Sequence, residues 1–488
     1  MSIPKEKDEL TITQSKESIS PLSDPNDPLF QKIESQLIKK FDFIIIPCLS
    51  LAYLYSNLDK ANIGNAQAAG MSEDLGLTGN QYGNVVSLLF VTYVIFEVPI
   101  AICLKKIGTR KSLSILTLCF GIVCLCTSFV QNYKSLLAMR MLLGLFESGI
   151  IPVINVMLSM CYTKQEMAKR CSIIYSASAA AGAFGGLLAF GLIKINAHGW
   201  EGWRWLFAIE GVLTISSFPI LVILLPPGDL TQTWWLTTDE KTVLKTRLSI
   251  YPDFYQDEKF SWSEIKRSFI DIDVLILYTY EFCVDLTLFG ISTFLPSIIK
   301  GMGYDKYKTQ LLTIPFYSLA LLSFMGMAWI SDKLQHRGGF LIIGLIMEII
   351  GYSILISQDS LGARYTGCML ISLGIYVCSA LSIMWINNNC AGHYKRATSA
   401  GMMTTIGSIA GVLAGQIYTM DSAPRYLKGL KITLGLTVLA MVLVIVVLYY
   451  YKTQNDKRGK ELKRLEDQGL DINVKPENDR SVYFKFML

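Results

Sequence analysis

The 488 residues are 52% hydrophobic and only 17% charged, with a mean hydropathy of +0.40, an oily balance that excludes an ordinary soluble domain. The formal charge of +5 is modest, and no basic patch interleaved with aromatic residues points to nucleic acid. Eleven cysteines without a CxxC pair and three scattered histidines offer neither a disulfide framework nor a metal site, so the cysteines read as small hydrophobes packed between helices.

In chain order, residues 1–36 are polar, lack the apolar core of a cleavable signal peptide, and read as a disordered cytoplasmic tail. Twelve apolar stretches follow, near 41–58, 84–103, 112–130, 136–159, 171–193, 206–225, 274–299, 311–330, 340–357, 365–386, 398–418 and 431–451. Each has roughly the 20 residues that a helix needs to cross a ~30 Å hydrocarbon core. The chain therefore reads as an all-α membrane protein with twelve transmembrane helices in two six-helix halves, 37–225 and 273–451. A linker at 226–272 joins them and a tail at 452–488 closes the chain. An even number of crossings leaves both ends on one side. Lys39 and Lys40, Lys105, Lys106, Arg110 and Lys111, Lys164, Lys169 and Arg170, then Lys452, Lys457 and Arg458 all fall on that side and mark it as cytoplasmic. Lys300, Lys306, Lys308, Arg425, Lys428 and Lys431 fall on the other face and weaken the bias in the second half.

The linker opens with Pro226-Pro227-Gly228-Asp229, which stops the sixth helix. Thr237 and Glu240 have capping-box spacing, and Val243, Leu244, Arg247 and Leu248 predict an amphipathic helix lying on the bilayer surface. Charged turns follow the second helix of each half: Leu104-Lys105-Lys106-Ile107-Gly108-Thr109-Arg110-Lys111 and Ser331-Asp332-Lys333-Leu334-Gln335-His336-Arg337-Gly338. Lys105, Lys106, Arg110, Asp332 and Arg337 are candidate gating residues, because such charges cap helix ends and pair with carboxylates in one conformation and release them in another. Ordinary positive-inside charge is the alternative.

Several motifs together resemble the major facilitator superfamily, and within it the fungal allantoate permease family of the anion:cation symporter branch. They are Leu58-Asp59-Lys60-Ala61-Asn62-Ile63-Gly64-Asn65-Ala66, Phe96-Glu97-Val98-Pro99, Arg140-Met141-Leu142-Leu143-Gly144-Leu145-Phe146-Glu147-Ser148-Gly149, Gly202-Trp203-Arg204-Trp205-Leu206-Phe207, Trp235-Leu236-Thr237 and Asp421-Ser422-Ala423-Pro424-Arg425-Tyr426. The chain departs from the pattern at Lys105, where the superfamily has an acid, at Gln335, where glycine is usual, and at Lys60, where many relatives have arginine. The fifth helix lacks the glycine-proline motif of drug antiporters, which leans toward symport.

Charge inside the membrane is costly, so each such residue is a candidate site. Arg140 lies in an apolar run and calls for a carboxylate partner; Glu147, seven residues on, shares its face about 10 Å along the helix. The resemblance implies that Asp59 pairs with Arg140, that Lys60 meets an anionic substrate, and that Glu147 carries the coupled proton. Protonating Asp59 or Glu147 frees positive charge for an anion, so the two ligands would bind cooperatively. On the second helix, Tyr93 is a candidate hydroxyl donor to substrate, and Glu97 is expected to pair with Lys105, Lys106 or Arg170. Glu281 and Asp285 share one face of the seventh helix, and two like charges there cannot both ionise cheaply. They fit a second proton or coupling-cation site, or pairing with cations of the linker or tenth helix. Asn387 and Asn388 are candidate substrate ligands, with helix-end capping as the alternative, and Gly401, Gly407, Gly411 and Gly415 suggest close helix packing.

The reading is a monomeric carrier, not an enzyme, without cofactor, that imports a small organic or sulfur-containing anion with protons across the plasma membrane by alternating access. Sulfonate, sulfate and nicotinate are favoured among the anions. The absence of a GxxxxGK[ST] phosphate loop argues against a primary pump. A drug or neutral-solute facilitator of the same fold, and a non-transporting nutrient receptor, are the rival readings.

Overall fold

In the computed structural model, which describes residue 25 and residues 27–195, 199–250, 261–419, 422–468 and 479–488, the apolar stretches form long helices and no strand occurs among the described residues. The first half contains α1 (Pro28–Ala68), the short α2 (Met71–Asp74), α3 (Gln81–Ile107), α4 (Thr109–Thr127), α5 (Tyr133–Glu147), α6 (Ile150–Cys161), α7 (Lys164–Leu192) and α8 (Gly202–Leu224). The linker forms α9 (Thr238–Ile250) and α10 (Trp262–Arg267). The second half contains α11 (Ile272–Lys300), α12 (Lys306–Leu334), α13 (Arg337–Ser357), α14 (Leu361–Asn389), α15 (His393–Ile417) and α16 (Leu427–Asp467). Among the described residues, eleven stretches are long and apolar enough to cross a membrane, with α5 and α6 making one of them. Helix α1, which holds the expected span 41–58, is not among the eleven; its second half is crowded with polar residues.

Boundaries differ from the expected ones where local chemistry extends or breaks a helix. Helix α1 begins at Pro28, within the stretch expected to be a disordered tail and ahead of the expected span at 41–58, because Asp27 caps it by accepting from the Leu29 N–H at 2.7 Å and Phe30 and Leu37 are buried. The fourth crossing is interrupted at Ser148-Gly149, directly after Glu147. Pro152 has no N–H to return to the Ser148 carbonyl, which breaks the ladder at that point. Helix α9 has its capping box, with Thr237 N–H to Glu240 at 2.8 Å. Val243 and Leu244 are buried rather than laid on a bilayer, and α9 docks on α1 through Lys40–Glu240 (2.7 Å) and Arg247–Glu34 (2.9 Å). Arg247 also pairs with Glu166 of α7.

The two halves are joined most closely at the end opposite the linker. One apolar cluster runs from Leu37 and Phe41 of α1 through the first half and on to Phe294, Tyr317 and Tyr418 of the second. A separate cluster, with Leu345, Trp385 and Tyr451, fills the linker end of the second half. At the far end a Cβ on Gly64 would lie 2.1 Å from the Thr293 carbonyl oxygen, and one on Gly83 would lie 2.2 Å from that of Gly415. Only glycine permits so close a backbone approach. Neutral hydrogen bonds finish this seam: Gln310 to the Asn65 carbonyl (3.1 Å), Asn80 to Gln416 (2.5 Å) and Ser87 to the Val412 carbonyl (2.6 Å). At the linker end, residues 479–488 fold back on the second half, where Phe486 stacks on Tyr451 at 4.4 Å and Asn389 brackets the Met487 backbone.

Candidate functional site

Between the halves lies a cavity of about 60 Å³. Lys60 of α1, Arg140 of α5 and Ser178 of α7 line it, facing Phe90 of α3 and Phe289, Tyr317 and Tyr376 of the second half. Two cations thus share one small space with four aromatic rings. Helix α1 brings Lys60 there because Leu58-Asp59-Lys60-Ala61-Asn62 continues as regular helix, with Leu58, Asp59 and Asn62 turned into the first half.

Arg140 is 2% exposed. Its Nη1 donates to the Asp59 backbone carbonyl at 3.4 Å, and its guanidinium lies 5.7 Å from the Phe207 ring centroid. Nε and Nη2 are buried without a hydrogen-bond partner. The expected Arg140–Asp59 carboxylate pair is not formed; Asp59 instead accepts from the Cys124 thiol at 2.8 Å, because α4 lies nearer to its side chain. Glu147 does not pair with Arg140 either. It lies 3.4 Å from the Lys60 ammonium, which also stands 4.9 Å above the Tyr93 ring. The structure therefore brings Lys60, Tyr93, Asp59, Arg140 and Glu147 into one neighbourhood, with the partners exchanged.

In the second half, Glu281 accepts from Ser382 at 2.5 Å and Asp285 from Ser379 at 2.7 Å, both hydroxyls coming from α14. Neither carboxylate has an ion pair among the described residues, so the expectation of partner cations on the linker or tenth helix fails. Gly407 of α15 leaves the space that Asp285 fills. Asn387 and Asn388 lie at the linker end, away from the cavity; Asn388 is exposed and contacts Met487, so neither is positioned to hold a solute. Glu97 accepts from Thr405 of α15 at 3.2 Å, while Arg170 is taken by Asp42 at 2.5 Å, which corrects the expected Glu97–Arg170 pair. In the charged turns Asp332 and Arg337 pair at 2.6 Å, and the Arg110 carbonyl accepts from Ser114. The side chains of Lys105 and Lys106 lie outside the described residues.

Two fully buried carboxylates, Glu210 of α8 and Glu348 of α13, escaped the sequence reading. Both stand alone within apolar runs, Ala208-Ile209-Glu210-Gly211 and Met347-Glu348-Ile349, the same signal that marks Arg140.

The model of the Major Facilitator Superfamily matches residues 49–415, most of the chain. The chain belongs to the major facilitator superfamily. Superfamily relatives agree across the whole length. A high-affinity nicotinic acid transporter of Saccharomyces cerevisiae is 35% identical over 465 residues, covering 95% of this chain and 86% of that one. A Schizosaccharomyces pombe transporter is 36% identical over 435 residues, covering 89% and 87%. Among solved structures, a bacterial homologue of the lysosomal transporter Spinster, inward-facing and unoccupied, superposes with a TM-score of 0.66 at 16% identity, covering 84% of this chain and 97% of that one. A D-xylose–proton symporter gives 0.65 at 14%, covering 83% and 97%. At such identity these two speak for the fold alone. The chain is thus a multi-pass membrane transporter and not an enzyme.

Proposed function

We propose that this transporter imports a small organic or sulfur-containing anion together with protons, by alternating access, as a member of the allantoate permease branch. One observation carries the reading: two cations, the half-buried Lys60 and the buried Arg140, face the inter-half cavity, and one of them is engaged by an acid, Glu147. With Asp59 and Glu147 ionised, the two cations and two acids balance in the empty site. An incoming monoanion adds one negative charge, and a proton on Glu147 restores neutrality while releasing Lys60 to the anion. Proton and anion therefore favour each other's binding. The two unpartnered nitrogens of Arg140 supply further donors to the anionic group.

Coupling is needed on energetic grounds. An inside-negative potential opposes each imported negative charge by about 2.3 kcal/mol per 100 mV, and one proton cancels that for a monoanion. Phe90, Phe289, Tyr317 and Tyr376 would stack on a flat ring, and the nicotinic acid transporter among the relatives makes nicotinate the first candidate. Glu281 and Asp285, which accept from serine hydroxyls and have no ion pair among the described residues, form a second proton site. Cytoplasmic termini, a plasma-membrane location and a monomer complete the proposal.

The deciding experiment is uptake of radiolabelled nicotinate, a sulfonate and sulfate at pH 5 and pH 7.5, with and without a protonophore. Uptake of one anion that rises at pH 5 and collapses with the protonophore is expected; uptake indifferent to it would end the symport proposal.

A further inference from the structure

The α3–α15 seam is held at the far end by neutral groups and, nearer the linker, by one ionisable side chain. Glu97, 7% exposed, accepts from the Thr405 hydroxyl at 3.2 Å across the two halves. The same hydroxyl lies 3.0 Å from the Gly401 carbonyl. Those two contacts define a protonated state in which every group is satisfied: the Glu97 acid donates to Thr405, and Thr405 donates to Gly401. An ionised Glu97 can only accept, from Thr405 and Thr404, and it then keeps a net charge at a largely buried position between the halves.

Among the described residues, one cation, Lys60, bears on that charge. Around Tyr93 and Glu97, α1 presents Lys60 and Tyr53, α5 presents Glu147, and α7 presents Tyr175; Asp285 of α11 reaches α15 at Gly407. Helix α15 itself offers only threonines at this level, Thr404 and Thr405. Lys60 is the one cation in this set and is already engaged by Glu147 at 3.4 Å. On α3 itself the next cations are Lys105 and Lys106, two turns on, whose side chains lie outside the described residues. A buried carboxylate whose nearest cation is held by another acid is costly to ionise, and rehydration removes that cost. Separation of α3 and α15 at the linker end, where Gly401 is already exposed, gives Glu97 fuller access to water.

We infer that Glu97 is a gating residue whose proton closes the linker end of the α3–α15 seam and whose ionisation opens it. The inference rests on the alternating-access reading and adds a second, separate role for protons. The Glu147 proton travels with the anion. The Glu97 proton is taken up and released on the linker side, so it sets when the gate opens without changing how many protons are carried.

The test is hydrogen–deuterium exchange of the full chain in lipid nanodiscs at pH 5.5 and pH 7.5, without solute, corrected for intrinsic exchange rates. In the wild type, residues 94–104 and 394–405 should exchange more slowly at pH 5.5, by up to about tenfold per pH unit, the limit for one titrating proton. Glu97→Gln, neutral at both values, should exchange slowly at both. Thr405→Ala removes the bridge and should exchange fast at both, which keeps the proposal testable should Glu97→Gln not fold. A wild-type response retained in Glu97→Gln or Thr405→Ala would overturn the inference. Because no anion is present, a failure of proton-coupled uptake leaves this result readable on its own.

Discussion

Lys60 and Arg140 both bring positive charge to the cavity, yet their surroundings assign them different work. Arg140 is 2% exposed and lies against Phe207 and the Asp59 carbonyl, whereas the Lys60 side chain is 17% exposed and, among the described residues, is held by Glu147 and the Tyr93 ring. Lys60 is therefore the cation free to change partners. Lys60→Ala should raise the apparent KM for nicotinate about tenfold or more, because a charge-assisted hydrogen bond is worth roughly 1.5–3 kcal/mol. Lys60→Arg should recover most of the loss; no change in KM with alanine would mean that the anion binds elsewhere. Glu147→Gln mimics the protonated acid permanently, so exchange of labelled nicotinate across the membrane should persist while accumulation against a gradient disappears. Accumulation that survives would remove Glu147 from the coupling step. These residues were legible in the sequence because charge in an apolar run is expensive wherever it stands. Their pairing was not legible. Spacing along α5 put Glu147 on the Arg140 face, but the partner that reaches it, Lys60, comes from 87 positions away.

At the scale of elements, hydropathy locates the crossings and local chemistry sets their ends. Asp27-Pro28 and Thr237-Glu240 are start signals that a sequence displays, and the break after Glu147 follows from Pro152. Which face a glycine opens is a tertiary fact. A Cβ on Gly144 would meet the Leu89 carbonyl oxygen at 2.2 Å within the first half, while one on Gly64 would meet Thr293 across the halves at 2.1 Å. Gly144→Ala should therefore cost stability, about 1–3 kcal/mol as for other overpacked sites, seen as a lower melting temperature in detergent. Gly64→Ala should leave melting nearly unchanged, since the halves can stay apart. It should cut uptake strongly, because the far end cannot close. If Gly64→Ala melts as low as Gly144→Ala, the halves do not move as separate bodies.

The whole molecule separates the groups that titrate with transport from those that hold the frame. The linker helix α9 is tied to α1 by Glu240, and burial alone would raise that carboxyl. The Lys40 ammonium and the Thr237 N–H and hydroxyl outweigh burial and hold Glu240 below the usual carboxylate range. A carboxyl lowered in the folded state stabilises above its unfolded value, near 4.3, and that stability is lost only as pH falls through the lowered value. The α9–α1 latch is thus intact from pH 5 to pH 7.5, the range in which proton-coupled uptake should change. Any rise in uptake at pH 5 must then come from acids at the cavity and seam and not from the linker letting go. Glu240→Gln should lower stability by about 1 kcal/mol, the ordinary worth of a helix cap, and leave the shape of the uptake–pH curve as in the wild type. A flattened curve in that variant, measured between pH 5 and pH 7.5 with equal amounts of protein in the membrane, would move the pH sensor from the bundle interior to the linker.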